Sequence, residues 1–178
     1  MGIYISTKRL KIRQFSPDDA NQLYKICNQP YILKWMPDWE TSLDDIERWI
    51  SQKEKRYSQW TKDNVRIMLA VTLEKDGKVI GMVGIGNKVE VDNEVEIAYF
   101  ISEEYSNQGY MSEAAKAMTK WAFDNVKLDY LIAIVEPDNS ASQKVVERCG
   151  FNKIKERMIL NSGESEEKPF YYYRLYNS

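Results

Sequence analysis

The stretch Asn107-Gln108-Gly109-Tyr110-Met111-Ser112-Glu113-Ala114 sets a glycine where a strand-like run ends and a helical pattern begins. A chain that turns into a helix there leaves backbone N–H groups unpaired at the positive end of the helix dipole. That is an anion site of a kind that suits a diphosphate. Glycine, with no side chain, lets the ligand approach closely. Taken alone, the signal is weak: glycines before helices are common, and a plain loop-to-helix junction is the simpler reading. After the next strand, Glu136-Pro137-Asp138-Asn139-Ser140-Ala141-Ser142 opens another helix, so two successive strand-to-helix turns would line one cleft. Glu94, Glu96 and Ala98 alternate along a strand, which puts both acids on one face, suited to a cationic substrate. The chain has no histidine, which excludes a histidine base, a Ser-His-Asp triad and the commonest metal ligand. Chemistry falls to carboxylates, hydroxyls, tyrosines and backbone, and no metal is expected. An unrelated phosphate-binding module finds no support, because a Walker lysine and a Rossmann triple glycine are both missing.

The elements that must position these residues follow from patterning. Leu10-Lys11-Ile12-Arg13 alternates as a short strand, and Ser16-Pro17-Asp18-Asp19 supplies an N-cap, a proline at N1 and first-turn acid. A helix with Ala20, Leu23, Tyr24 and Cys27 on one face should follow. Ser42 and Asp45 resemble a capping box before Ile46, Trp49 and Ile50 at helical spacing. Val65 to Glu74 and Lys78 to Lys88 read as strands joined at Asp76-Gly77, a hairpin turn dipeptide. A strand over Glu94 to Ile101, a helix to about Asn125, a strand over Tyr130 to Glu136, a helix to about Arg148, and strands from Phe151 and over Phe170 to Tyr176 complete the order. Gly150 reads as a left-handed cap, and Ser162 to Glu167 as a solvated loop. The order predicts a mixed α/β sheet, with residues 1–178 forming a single domain.

Composition narrows the function classes. Twenty-seven acidic and 25 basic side chains give a formal charge of -2, so no positive field draws nucleic acid or an anionic membrane. The longest strongly apolar stretch, Tyr130 to Val135, is far short of a membrane span. Cys27 and Cys149 have no framework spacing, and the N-terminus has no signal-peptide pattern, so a cytoplasmic location is expected.

The pair EIAYF…YSNQGYMSEA and VEPDNSASQKVVERCGF resembles the acetyl-coenzyme A core of the GCN5-related N-acetyltransferases (GNAT), and more closely their RimJ/RimL-like, ribosomal-protein alanine N-acetyltransferase branch. Thr7-Lys8-Arg9-Leu10, Ile12-Arg13, the Asp-Asp-Ala helix and Trp49-Ile50 extend the likeness over nearly the whole chain. The resemblance implies a central twisted, mostly antiparallel sheet with a parallel splayed pair and flanking helices. It also implies acetyl transfer from acetyl-CoA to a primary amine, either a protein N-terminus or a small amine, by direct attack in a ternary complex. The family's pyrophosphate pattern runs Arg or Gln, two residues, Gly, one residue, Gly or Ala. Here those positions are Ser106, Gly109 and Met111, so only the central glycine matches.

By resemblance, backbone amides of Gln108, Gly109, Tyr110, Met111 and Ser112 hold the pyrophosphate, and the strand backbone at Tyr99, Phe100 and Ile101 pairs with the pantetheine arm. Glu96 occupies the position of a carboxylate that relays a proton from the bound ammonium, and burial would raise its pKa into a useful range. Asn139 and Ser142 match the family's Asn-x-x-Ser facing the thioester, although Asn139 also reads as a simple helix cap. The tyrosine that many relatives use as general acid is replaced by Val146. Lys144 and Arg148 are candidates for a coenzyme A phosphate, and Tyr31, Trp35, Met36, Trp39, Glu40 and Tyr171 to Tyr173 for the acceptor side. The competing reading is a noncatalytic acyl-CoA sensor. A homodimer is left open.

Overall fold

Gly77, at φ 72°, takes the left-handed turn predicted at Asp76-Gly77, and the strands on either side, β3 (Arg66–Leu73) and β4 (Val79–Lys88), pair antiparallel. In the computed structural model, which describes residues 2–57, 60–161 and 164–177, this hairpin lies within an eight-stranded sheet. Its outer neighbours are β2 (Leu10–Arg13) and a three-residue edge strand, β1 (Tyr4–Ser6). On the other side β4 pairs antiparallel with β5 (Glu94–Ile101) over the whole length of β5. The sheet continues through β6 (Tyr130–Val135), β8 (Lys168–Tyr176) and β7 (Asn152–Ile159), in the order β1-β2-β3-β4-β5-β6-β8-β7. The sheet neighbours pair antiparallel except β5 and β6, which are parallel and register at one pair, Glu96 with Ile132.

The predicted mixed sheet with a splayed parallel pair is therefore observed, with differences in detail. β1 and the one-turn helix α2 (Pro30–Leu33) had no sequence signal, being too short for periodicity to register. The last strand, β8, inserts between β6 and β7, a long-range choice that local patterning does not encode. Of the expected loop Ser162 to Glu167, Ser162 and Gly163 lie outside the described residues.

Alternation along the strands packs both faces of the sheet. Ile67, Leu69 and Val71 of β3 and Val95 and Ile97 of β5 meet α4 (Tyr110–Val126) through Met111, Ala114, Ala115, Met118 and Ala122. The opposite face, with Met68, Ala70, Met82 and Phe100, packs on α1 (Ala20–Cys27), α2 and α3 (Leu43–Arg56). Leu23 and Met118 are wholly buried, and truncating either to alanine should cost roughly 2–5 kcal/mol. The second crossover helix, α5 (Ser140–Arg148), ends in a Schellman motif: Phe151 N–H donates to the Val146 carbonyl, and Gly150 N–H donates to that of Glu147, with Gly150 at φ 95°.

Candidate functional site

Because β5 and β6 pair only at Glu96 and Ile132, their facing edges part beyond that point. β5 is fully bonded to β4 on its far side and β6 to β8 on its own, so the groups facing the fork have no strand partner, and one of them, the Ile134 N–H, donates to the Glu96 carboxylate. The fork opens into a cleft of about 400 Å³, lined from β5 by Ile97 through Ile101 and from β6 by Ala133 to Val135. At its ends stand the openings of α4 and α5. An extended arm with amide groups fits such a slot, because it can complete both open strand edges.

The two helix openings are built differently. Asn139 caps α5, its side-chain oxygen accepting from Ser142 N–H at 3.1 Å, a contact of about 1 kcal/mol. At α4 the cap is Gly109 at φ 78°, with no side-chain hydrogen bond to the first-turn amides. Asn107, at φ 58°, is also left-handed, so the chain winds into a concavity of backbone N–H groups of the anion-binding kind. Ser106, Asn107, Gly109, Tyr110, Met111 and Ser112 border the cleft. Gln108 does not. Its side chain donates to the Glu104 carbonyl and its own carbonyl accepts from Arg9, so neither of those groups is free for a ligand.

Glu96 sits at the point where the strands divide. Its side chain is 19% exposed, and burial pushes its pKa up to about 7 against the opposing pull of Lys88, whose Nζ lies 4.0 Å away, and of a hydrogen bond from the Ile134 backbone N–H. Glu94, two residues earlier on the same face, is engaged differently: it accepts from Tyr130 and Tyr172 hydroxyls and from the Arg174 guanidinium at 2.9 Å. It is a bound counter-ion, which corrects the expectation that either acid is available to a substrate.

Ser142 lines the cleft, and its hydroxyl lies 2.8 Å from that of Tyr99. Tyr99 entered the sequence reading only through its backbone. Its side chain, half-buried and with its pKa raised by burial, carries a hydroxyl whose role spacing did not reveal, because the contact joins β5 to α5 across 43 residues. Val146 is buried in the core beneath α5, so that position contributes packing alone. Tyr31, Trp35 and Met36 border the cleft, as do Lys144 and Arg148. Trp39 instead packs edge-on between Trp49 and Phe100. Tyr172 is committed to Glu94, and Tyr173 is buried with its hydroxyl donating to Glu147.

Comparison with known proteins agrees with this architecture. A family model described as an acetyltransferase (GNAT) domain matches residues 9–152. The Bacillus subtilis protein YnaD, named an uncharacterized N-acetyltransferase, is 26% identical over 151 residues, 85% of this chain and 84% of that protein. The crystal structure of a GNAT-family acetyltransferase from Bacillus anthracis superposes with a TM-score of 0.79 at 25% identity, covering 98% of both chains. The ribosomal alpha-N-protein acetyltransferase RimL, solved in complex with coenzyme A, reaches 0.79 over 98% of both chains at 14% identity, a likeness of fold. The family match spans most of the sequence, and the chain belongs to the GNAT family of acetyl-CoA-dependent N-acetyltransferases.

Proposed function

We propose that this enzyme acetylates the α-amino group of a protein or peptide N-terminus by direct attack in a ternary complex. The observation that carries the reading is Glu96, a carboxyl held near pKa 7 at the fork of the sheet. An α-ammonium, with a pKa of about 7.7–8.0, gives up its proton to such a base at little cost, whereas a lysine-type amine near 10.4 does not. RimL, as an alpha-N-protein acetyltransferase, supports the same acceptor class, and with it the RimJ/RimL-like branch.

In this reading the parted edges of β5 and β6 grip the pantetheine arm, at Tyr99, Phe100 and Ile101 on the β5 side, and the α4 opening holds the diphosphate. Acetyl-CoA supplies the activated acyl group. Glu96 takes the first proton from the ammonium. The freed nitrogen bonds to the carbonyl carbon as the carbon–sulfur bond breaks, and the second proton leaves nitrogen as the sulfur gains one. Ser142, hydrogen-bonded to Tyr99, is the hydroxyl that donates to the sulfur, a role Val146 cannot fill. Backbone N–H groups at the fork stabilise the developing oxyanion.

The test is acetyl-CoA turnover, followed as free thiol, against N-terminal peptides, polyamines, aminoglycosides and amino acids, with binding measured in parallel. Release with N-terminal peptides is expected. Release with another class alone rejects the acceptor assignment, and tight binding without release to any amine favours the noncatalytic sensor, the reading that Val146 and Ser106 leave open.

A further inference from the structure

The α4 opening carries a charge that works against its use as a diphosphate site. Glu113 lies in the first turn of the helix, and its side chain is 20% exposed. A free carboxylate there would compete with a bound diphosphate for the same N–H groups and the same positive dipole end, and would repel its negative charge. The structure shows the carboxylate occupied from the hairpin between β1 and β2. Arg9 Nε donates to one oxygen at 2.7 Å; Arg9 backbone N–H at 3.0 Å and Thr7 hydroxyl at 2.6 Å donate to the other. Burial raises the Glu113 pKa, but these donors outweigh it and hold the group below its ordinary value.

The same guanidinium reaches the turn itself. Its Nη1 donates to the Gln108 carbonyl at 3.0 Å, its plane lies over the Tyr110 ring at 4.2 Å, and Nη2 would stand 3.5 Å from a Cβ placed on Gly109. One side chain from a distant strand hairpin thus fixes the carbonyl of the residue before the glycine and neutralises the acid after it. The position where the family pattern has Arg or Gln is Ser106, whose hydroxyl is turned onto the Glu103 carbonyl at 2.8 Å.

We infer that Arg9 is a positioning residue for coenzyme A: it clasps the turn from the side away from the cleft and cancels the Glu113 charge, so that the diphosphate meets ordered N–H groups and no competing carboxylate. This rests on the diphosphate lying at the α4 opening. The effect should fall on the diphosphate half of the cofactor and leave the pantetheine half untouched.

The test compares binding of coenzyme A with binding of pantetheine, which lacks the diphosphate, by calorimetry on the full chain. The wild type should prefer coenzyme A; equal affinity for the two ligands would show that no diphosphate is held here and would overturn the site and the inference together. Arg9→Ala should weaken coenzyme A about five- to tenfold with pantetheine unchanged, and adding Glu113→Gln should recover most of the loss. Weakening of both ligands alike, unchanged coenzyme A affinity, or no recovery in the double variant would each reject the inference while leaving the diphosphate site standing. Glu113→Gln alone needs no loss of the cation and gives a test of sign: coenzyme A should bind about two- to threefold tighter, and weaker binding would count against charge cancellation.

Discussion

Glu94 and Glu96 are the same residue type, two positions apart on the same strand and the same face, yet they occupy opposite regimes. Glu94, near the start of β5, is a hydrogen-bonded counter-ion to Arg174 with two tyrosine hydroxyls on its oxygens. Glu96, where β5 and β6 part, is desolvated, with one backbone N–H, that of Ile134, on its carboxylate and Lys88 at the edge of ion-pair range. The difference teaches that the neighbouring strands set a carboxylate's role. A fully satisfied carboxylate contributes order, whereas one held near pKa 7 can exchange a proton at neutral pH.

The sharpest way to break this comparison is Glu96→Gln, which should lower kcat/KM above pH 7 by about a hundredfold and abolish the inflection near pH 7. A retained inflection would assign the titration to another group. The same substitution should raise stability. A carboxyl whose folded pKa exceeds its unfolded value binds protons preferentially when folded, so its stability contribution is complete below about 4.5 and is lost as pH rises through 7. Over that window the wild type should lose about 3 kcal/mol relative to Glu96→Gln, read from denaturant unfolding at pH 4.5 and 8.

Glu94→Ala should show the converse pattern. Leaving Arg174 without its carboxylate should cost about 3 kcal/mol, a fall of roughly 8 °C in Tm, with kcat/KM moved less than about threefold. A large catalytic loss with little change in Tm would merge the two acids into one role. On the far side of the cleft, Ser142→Ala should lower kcat about tenfold and Tyr99→Phe about threefold, with coenzyme A affinity preserved; a loss confined to affinity would make the hydroxyl pair a binding feature. The smallest effect is expected from Lys88→Met. Removing the cation that opposes the burial of Glu96 should move the inflection upward from about 7 and lower kcat/KM at pH 7 about two- to threefold.

Much of this was written locally. The hairpin at Asp76-Gly77, the span Glu94 to Ile101, the cap at Asn139 and the left-handed Gly150 each follow from a residue's own dihedral or hydrogen-bonding preference, and each is observed. The glycine turn at α4 and the missing histidine bounded the chemistry in the same way. Contacts made across the chain were not legible. The Tyr99 hydroxyl on Ser142, the Arg174 partner of Glu94 and the Arg9 clasp on Glu113 link residues 43, 80 and 104 positions apart. Alternation alone made Glu94 and Glu96 equivalent, and only β6 and β8 distinguished them.

The sequence by itself determined most of the elements, the glycine turn that opens α4 and the residue types available to the chemistry, because these depend on dihedral preference, periodicity and composition. The tertiary structure decided where β5 and β6 part, which carboxylate is left without a close ion pair, and that the Gln108 side chain and carbonyl are taken by Glu104 and Arg9. Those outcomes depend on strand order and on desolvation, and both are properties of the neighbours a residue acquires only once the sheet is assembled.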